Sequence, residues 1–271
     1  MSGRAILLGL CAAALSCVVA RAEVVEGLVV PSARVTLAAP LDGIVEALPF
    51  EENQSVRAGD VVARMDDAIQ RVEVLKATVR AESEAALVEA ELIQQEMQIM
   101  LDRAEDAMDR NAASNWEVRR AKLQRDQAIA SVHSTKDSMK LAEAELELQR
   151  EILAQHELKA PFDGRVLRQL VEPGATLQRG GEMLVIVRLD PLEAEVFMPI
   201  EAYGDLQAGA TYELTPDPSI RDEPLTATLK TIDPLIDSAS RTFRCVFEIP
   251  NPDEALPAGF EVSFDLDQTD R

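Results

Sequence analysis

Histidine and cysteine are scarce in this chain of 271 residues, which has two His, three Cys, one Trp and only 4% aromatics. So few imidazoles and thiols leave little from which to build a metal centre or a nucleophile-base pair, and the sequence reads as a non-enzyme. Positive charge is also in deficit. With 27 Lys plus Arg against 48 Asp plus Glu the net charge is -21, so the surface repels polyanions and nucleic acid is excluded as a partner. Hydrophobic runs are short: the longest, Ala5 to Ala20, has 16 residues, fewer than the roughly 20 a membrane-spanning helix needs. It follows Arg4 and ends at Ala20-Arg21-Ala22, the small-x-small pattern of a signal peptide, which predicts residues 1–22 as an export signal cleaved between Ala22 and Glu23. Cys11 and Cys17 lie in that segment, leaving Cys245 without a disulfide partner. A competing reading is a lipoprotein signal with Ala14-Leu15-Ser16 before a lipidated Cys17, with Ala14 standing where such signals usually carry Leu.

Proline and glycine are absent from residues 68–156, a stretch rich in Ala, Glu, Leu, Gln and Arg, the composition of long helices. This stretch separates the two copies of an internal repeat. Ala39-Pro40-Leu41-Asp42-Gly43-Ile44-Val45 recurs as Ala160-Pro161-Phe162-Asp163-Gly164-Arg165-Val166, and in each copy a second glycine follows 16 residues after the first, at Gly59 and Gly180. Each copy reads as short strands between Pro and Gly turns, too few to bury an apolar face alone, so the two must pack on each other.

Within the helical stretch Val72, Val79, Ala86, Ile93, Met100 and Ala107 recur every seven residues. Ile69, Ala90, Met97 and Ala104 fill the second seam position, interrupted by Lys76 and Ser83. Val118, Val132, Met139, Leu146 and Leu153 repeat the pattern with Arg125 as a polar member and Ala121, Ala128, Thr135 and Ala142 beside them. Two coiled-coil arms follow. Asp67 with Gln70, and Ser114 with Glu117, offer capping boxes at the two arm starts. Residues 110–113 are the expected connection, with Asn111 suited to a left-handed cap. Arms of 42 residues predict a hairpin of roughly 60–65 Å.

After Asp190, alternating segments at Leu192–Phe197, Tyr212–Thr215, Leu225–Ile232, Phe243–Ile249 and Phe260–Leu266 predict a small β-barrel, with one short helix at Ile200–Leu206. The fold expected is mainly β with a long α-helical hairpin: a split lipoyl-like β-sandwich interrupted by an antiparallel coiled coil and followed by a β-barrel. The predicted parts are residues 1–22 (signal), 23–67 (N-terminal strand and first lipoyl half), 68–156 (hairpin), 157–189 (second lipoyl half) and 190–271 (barrel).

This order of parts resembles the periplasmic adaptor, or membrane fusion protein (HlyD-like), family of RND-type efflux systems. Ile232-Asp233-Pro234-Leu235-Ile236-Asp237 with Ser240-Arg241-Thr242, then Asn251-Pro252-Asp253 and Leu256-Pro257-Ala258-Gly259, look like that family's barrel signature. The resemblance implies a periplasmic subunit that bridges an inner-membrane transporter to an outer-membrane channel as a homo-oligomeric ring, typically of six copies. The family's hairpin-tip motif is an Arg, a Leu four residues on and a Ser seven beyond that. Arg103 and Ser114 match, while the Leu position is Ala107. Arg103, Ala107, Arg110, Asn111, Ser114 and Trp116 are therefore the candidate channel-contact residues. Trp116 has two readings, an exposed contact residue or a staple closing the turn. Relatives usually add a membrane-proximal β domain, for which residues 23–37 and 268–271 are too few, so no complete one is expected.

Other functions find little footing in the residues. A lipoyl or biotinyl carrier needs a modifiable Lys at the tip between its halves, where this chain has Met65-Asp66-Asp67 leading into the coil. Met97, Met100 and Met139 fit coiled-coil packing rather than soft-metal ligation, and His133 and His156 point to no shared site. Neither cofactor nor metal is expected. Cys245 reads as an inert thiol, and the paired acids Glu51-Glu52 and Asp66-Asp67 have no nucleophile beside them. The rival functions are a periplasmic module that captures and hands on a metal or drug, and a self-assembling structural spacer.

Overall fold

The computed structural model describes residues 24–268. The predicted signal peptide, its cleavage point at Ala22 and Glu23, and Cys17 lie outside the described residues. Two compact units emerge, one formed by residues 34–187 and the other by 188–268 together with 24–33.

In the first unit the two repeat copies exchange strands. β2 (Gly43–Ala47) of the first copy pairs with β7 (Thr176–Leu177) of the second, and β3 (Ser55–Val56) of the first pairs with β6 (Gly164–Gln169) of the second. β4 (Val61–Met65) joins β2 to β5 (Glu157–Lys159), while the first part of β8 (Glu182–Pro199) adds to β6. Val45, Val56, Val62, Met65, Val166 and Ile186 from both copies are buried in one core. Each such side chain contributes about 1.5–3 kcal/mol on leaving water, and neither copy alone supplies the opposite wall.

The repeat is legible even in its turns. The Asp163 carboxylate accepts from the Ala58 N–H (2.7 Å), and Asp42 accepts from the Arg179 N–H (2.6 Å). The following residues, Gly59 (φ +90°) and Gly180 (φ +85°), donate to Ala160 and Ala39 carbonyls of the opposite copy. Only glycine adopts that backbone without strain. The Ala-Pro-x-Asp-Gly motif and the glycine 16 residues on thus brace each other across the two copies.

In the second unit the strand order is β1-β12-β9-β10-β11-β8, and β1 also pairs with β8, closing a six-stranded barrel. Its strands are β9 (Thr211–Pro216), β10 (Leu225–Asp237), β11 (Thr242–Ile249), β12 (Glu261–Asp265), the second part of β8 and the first part of β1 (Val24–Ala38). β1 enters antiparallel to β12, with Val24 opposite Asp265 and Leu28 opposite Glu261. At the closure a Cβ on Gly27 would lie 2.6 Å from Val196 Cγ2, so glycine is required for the close approach. Alternate residues of β9 and β11 point inward, and Tyr212, Phe247 and Phe264 cluster in the core with ring centres 5.4–5.8 Å apart, Tyr212 edge-on to Phe247.

Buried Asn251 ties the barrel's last turn: its side chain donates to the Leu189 and Leu256 carbonyls and accepts from the Leu256 N–H. Arg244 bridges Asp233 and Glu195 at 2.9 Å each, and these contacts raise its pKa. Burial pushes the Cys245 thiol up to about 12, which keeps it protonated and unreactive at neutral pH. The helix expected at Ile200–Leu206 is a single 3-10 turn, Ile200–Ala202. Gly204 weakens any helical continuation, and the chain turns instead to bury Leu206.

Candidate functional site: the helical hairpin and its tip

The hairpin springs from two neighbouring strand ends. The Met65 N–H donates to the His156 carbonyl at 2.8 Å, so the entering and leaving chains are joined at the base. The capping box expected at Asp67 and Gln70 does not form. Asp67 makes no side-chain cap; it pairs with Arg71 at 2.6 Å, and Gln70 reaches across to Gln149 at 2.8 Å. A one-turn ion pair and a cross-arm bond outcompete the local cap.

The returning arm, α3 (Asn115–Ala154), is one helix of 40 residues, about 60 Å long. Its seam is the one the heptads predict: Ala121, Ala128, Val132 and Leu146 are buried, and Val118, Met139 and Leu153 half-buried. The outgoing arm is not one helix. It breaks at Glu82–Glu84 into α1 (Ala68–Ala81) and α2 (Ala85–Asp109).

The break accompanies a seam that the heptads predict only in part: Ala90, Met97 and Ala104 face inward as expected, whereas Ile69, Val72, Val79, Ile93 and Met100 do not. Before it, the inner face is Gln70, Val74, Ala77 and Ala81; after it, Leu87, Ala90, Gln94, Met97, Leu101 and Ala104. Ala81 to Leu87 is six residues, one short of a heptad, a step that would overwind a continuous coil. The helix opens there instead. Consequently Lys76 and Ser83, which looked like interruptions of the seam, point to solvent with Ile69. The heptad Val72, Val79, Ile93 and Met100 is exposed too, from 42% at Met100 to 63% at Val79. Met100 is therefore no core residue, whereas Met97 and Met139 are half-buried in the seam.

At the tip the connection is tightly built. The Asn111 N–H donates to Met108 and the Ala112 N–H to Ala107, both at 2.8 Å, with Asn111 at φ 58°. These are the two bonds of a Schellman motif with its left-handed residue. Ser114 then caps α3. Its hydroxyl accepts from the Glu117 N–H, while the Glu117 carboxylate accepts from the Ser114 N–H at 2.7 Å and from the Ser114 hydroxyl at 2.9 Å; the two bonds to the carboxylate hold it below its ordinary pKa. Arg110 folds back on the Asp106 carbonyl. Arg103 is exposed and Ala107 half-buried. Trp116 leaves 60% of its surface in solvent, with the Arg120 guanidinium 5.5 Å from its ring centre. Five of the six candidate tip residues, Ala107 to Trp116, thus lie within one capped turn and the helix ends that flank it; Arg103 stands one turn below.

Among the described residues no group of three or more His, Cys, Asp or Glu is placed to hold a metal ion, and no helix is long and apolar enough to cross a membrane.

A repeat-built sandwich that carries a helical hairpin and continues into a six-stranded barrel is the architecture of a membrane fusion protein. Residues 33–189 match the family model described as RND MFP, barrel-sandwich hybrid domain, and residues 192–270 match the CusB-like, beta-barrel domain. The chain belongs to the RND membrane fusion protein family. It is 24% identical over 242 residues to the nodulation protein NolF of Rhizobium meliloti, covering 89% of this chain and 62% of that protein. It is 26% identical over 238 residues to the multidrug resistance protein MdtA of Escherichia coli O139:H28, covering 85% and 54% respectively. The chain thus spans between half and two thirds of the length of these relatives. The fold is shared with MacA from Actinobacillus actinomycetemcomitans, at a TM-score of 0.78 and 20% identity over 89% of this chain and 77% of that one.

Proposed function

We propose that this protein is the periplasmic adaptor subunit of a tripartite RND-type efflux transporter, bridging an inner-membrane pump to an outer-membrane channel. Several copies assemble as a ring, the barrels dock towards the pump, and the hairpins carry their tips to the channel. No bond is made or broken; function follows from assembly and geometry. The observation that carries this reading is the tip: a turn fixed by paired caps at the end of a helix about 60 Å long, with Trp116 held out in solvent. An exposed Trp beside a capped turn suits a partner surface, because Trp is among the side chains that most often dominate binding energy at interfaces. Arg103, Ala107, Arg110, Asn111 and Ser114 form the remainder of that contact surface.

The test is in-cell photo-crosslinking from a probe at Asn111, with mass-spectrometric identification of the adduct. Capture of an outer-membrane channel is the expected result. Self-adducts alone, in cells that express the partner transporter, would overturn the bridging role.

A further inference from the structure

The hydroxyl side chains of the two hairpin arms are gathered in one zone. Across residues 68–109 and 115–154 the Ser and Thr residues are Thr78 and Ser83 on the outgoing arm and Ser131, Ser134, Thr135 and Ser138 on the returning one. Thr78 stands one turn before the opening at Glu82–Glu84, and Ser83 stands within it. On α3 the run is Ser131-Val132-His133-Ser134-Thr135-Lys136-Asp137-Ser138, in which Lys136 is the one strong helix former. The rest of that helix is built largely from Ala, Leu, Glu, Gln and Arg.

The two weak stretches meet across the seam. Below the opening, Ala77 and Ala81 pack with Ala142 and Leu146; above it, Glu91 pairs with Lys136 at 3.4 Å. The opening therefore faces the stretch between Lys136 and Ala142, in which Ser138 lies. Packing is thin at this level: the outgoing arm buries no side chain fully between Ala81 and Ala90, and α3 none between Val132 and Leu146.

Hydrogen bonding loosens both arms in the same place. The Thr78, Thr135 and Ser138 hydroxyls donate to the carbonyls four residues back, those of Val74, Ser131 and Ser134, at 2.8–3.0 Å. Such bonds compete with the helix's own ladder and bend it. At the opening, α2 starts at Glu84 with no side-chain cap. The tip turn is the opposite case, with a Schellman motif on one side and a capping box on the other.

From this coincidence we infer that the hairpin bends at one hinge shared by both arms, formed by Glu82–Glu84 on one side and Ser131–Ser138 on the other. Above it, buried Ala90, Leu101, Ala121 and Ala128 hold the arms together, so the outer part swings as one rod. That rod is the 25 residues of α2, about 38 Å long. A bend of about 10° at its foot carries the tip sideways by about 6–7 Å. The hinge stands on the hairpin alone; its use, to let the tip meet a partner that is not in line with the base, rests on the proposed adaptor role.

Amide hydrogen exchange on the full-length protein tests the hinge. Protection at residues 82–87 and 131–138 should be lower by about tenfold than at 94–104 and 118–128. The variant Ser131→Ala/Ser134→Ala/Thr135→Ala/Ser138→Ala removes the back-bonds of α3 and raises its helix propensity. Exchange should then slow about tenfold at 131–138 and also, by about threefold, at 82–87 on the arm left unchanged. Unaltered protection at 118–128 shows that the variant keeps its fold. Strong protection of 131–138 in the parent would overturn the hinge and leave a static break in the outgoing arm. Slowing confined to 131–138 in the variant would overturn it as well, since the arms then loosen independently. Coupled slowing without channel capture by the Asn111 probe in the parent would support the hinge and sink the bridging role.

Discussion

The two arms of the hairpin are nearly equal in length and unlike in construction. α3 runs 40 residues on a single seam, with Arg125 its one charged member. The outgoing arm is split, shifts its seam by one residue at the split, and carries its larger side chains outside. Small residues, Ala77, Ala81 and Ala90, alternate on its inner face with Val74, Leu87, Met97 and Leu101. Hydrophobicity alone therefore does not decide which stripe faces inward. Alanine permits close approach of the backbones, and the bulkier stripe is left for a different surface.

The largest effect should come from breaking the shared seam. Leu101→Ala removes a side chain that is 4% exposed and should cost about 3 kcal/mol in urea unfolding followed by circular dichroism. Next is the α3 start: Ser114→Ala should cost about 1 kcal/mol by the same measurement, since the Glu117 N–H loses its side-chain acceptor and the Glu117 carboxylate a hydroxyl donor. Glu117 adds a pH signature. Its carboxyl pKa is depressed in the folded state, so its stabilisation is present above the unfolded value and lost as pH falls through the folded one. Amide exchange at residues 115–118 should accelerate over that acidic window in the parent and lose this dependence in Glu117→Gln.

A smaller and sharper change is the insertion of one Ala between Ser83 and Glu84. It restores the seven-residue step from Ala81 and should let the outgoing arm run as one helix, read as slowed amide exchange at residues 83–87. Unchanged exchange would mean that the local Glu-Ser-Glu sequence, not the seam step, opens the helix. The smallest effect on the single chain is expected at the exposed heptad of α2. Met100→Gln should shift urea unfolding by less than about 0.5 kcal/mol, in contrast to Leu101→Ala one position away.

Much of this was legible beforehand. That the two halves share one core followed from the doubled Ala-Pro-x-Asp-Gly motif, because a half unable to cover its own apolar face must find the other; that they exchange strands did not. The α3 seam followed from its unbroken heptads, and the tip from Asn111 and the Ser114–Glu117 pair, whose chemistry is local. Of the outgoing seam only Ala90, Met97 and Ala104 were placed correctly; the companion heptad through Val72, Val79, Ile93 and Met100 was misassigned because two heptads compete there and the more hydrophobic one lost. Lys76 and Ser83 were the available signal, since two polar residues seven apart in a supposed core mark a shifted frame. That Val24–Leu28 complete the barrel was not legible either. Their partners in β12 lie more than 200 residues away, and no local motif encodes such a pairing.

The bond between Met65 and His156 has a consequence for reach. Because the two ends of the insert meet side by side, the sandwich registers only where the hairpin enters and leaves, not how far it travels. One heptad added to each arm, in phase with the seam, would lengthen the hairpin by about 10 Å while the β core stays as it is. The hairpin is in this sense a ruler with seven-residue graduations, and the gap it spans can be reset without redesigning either end.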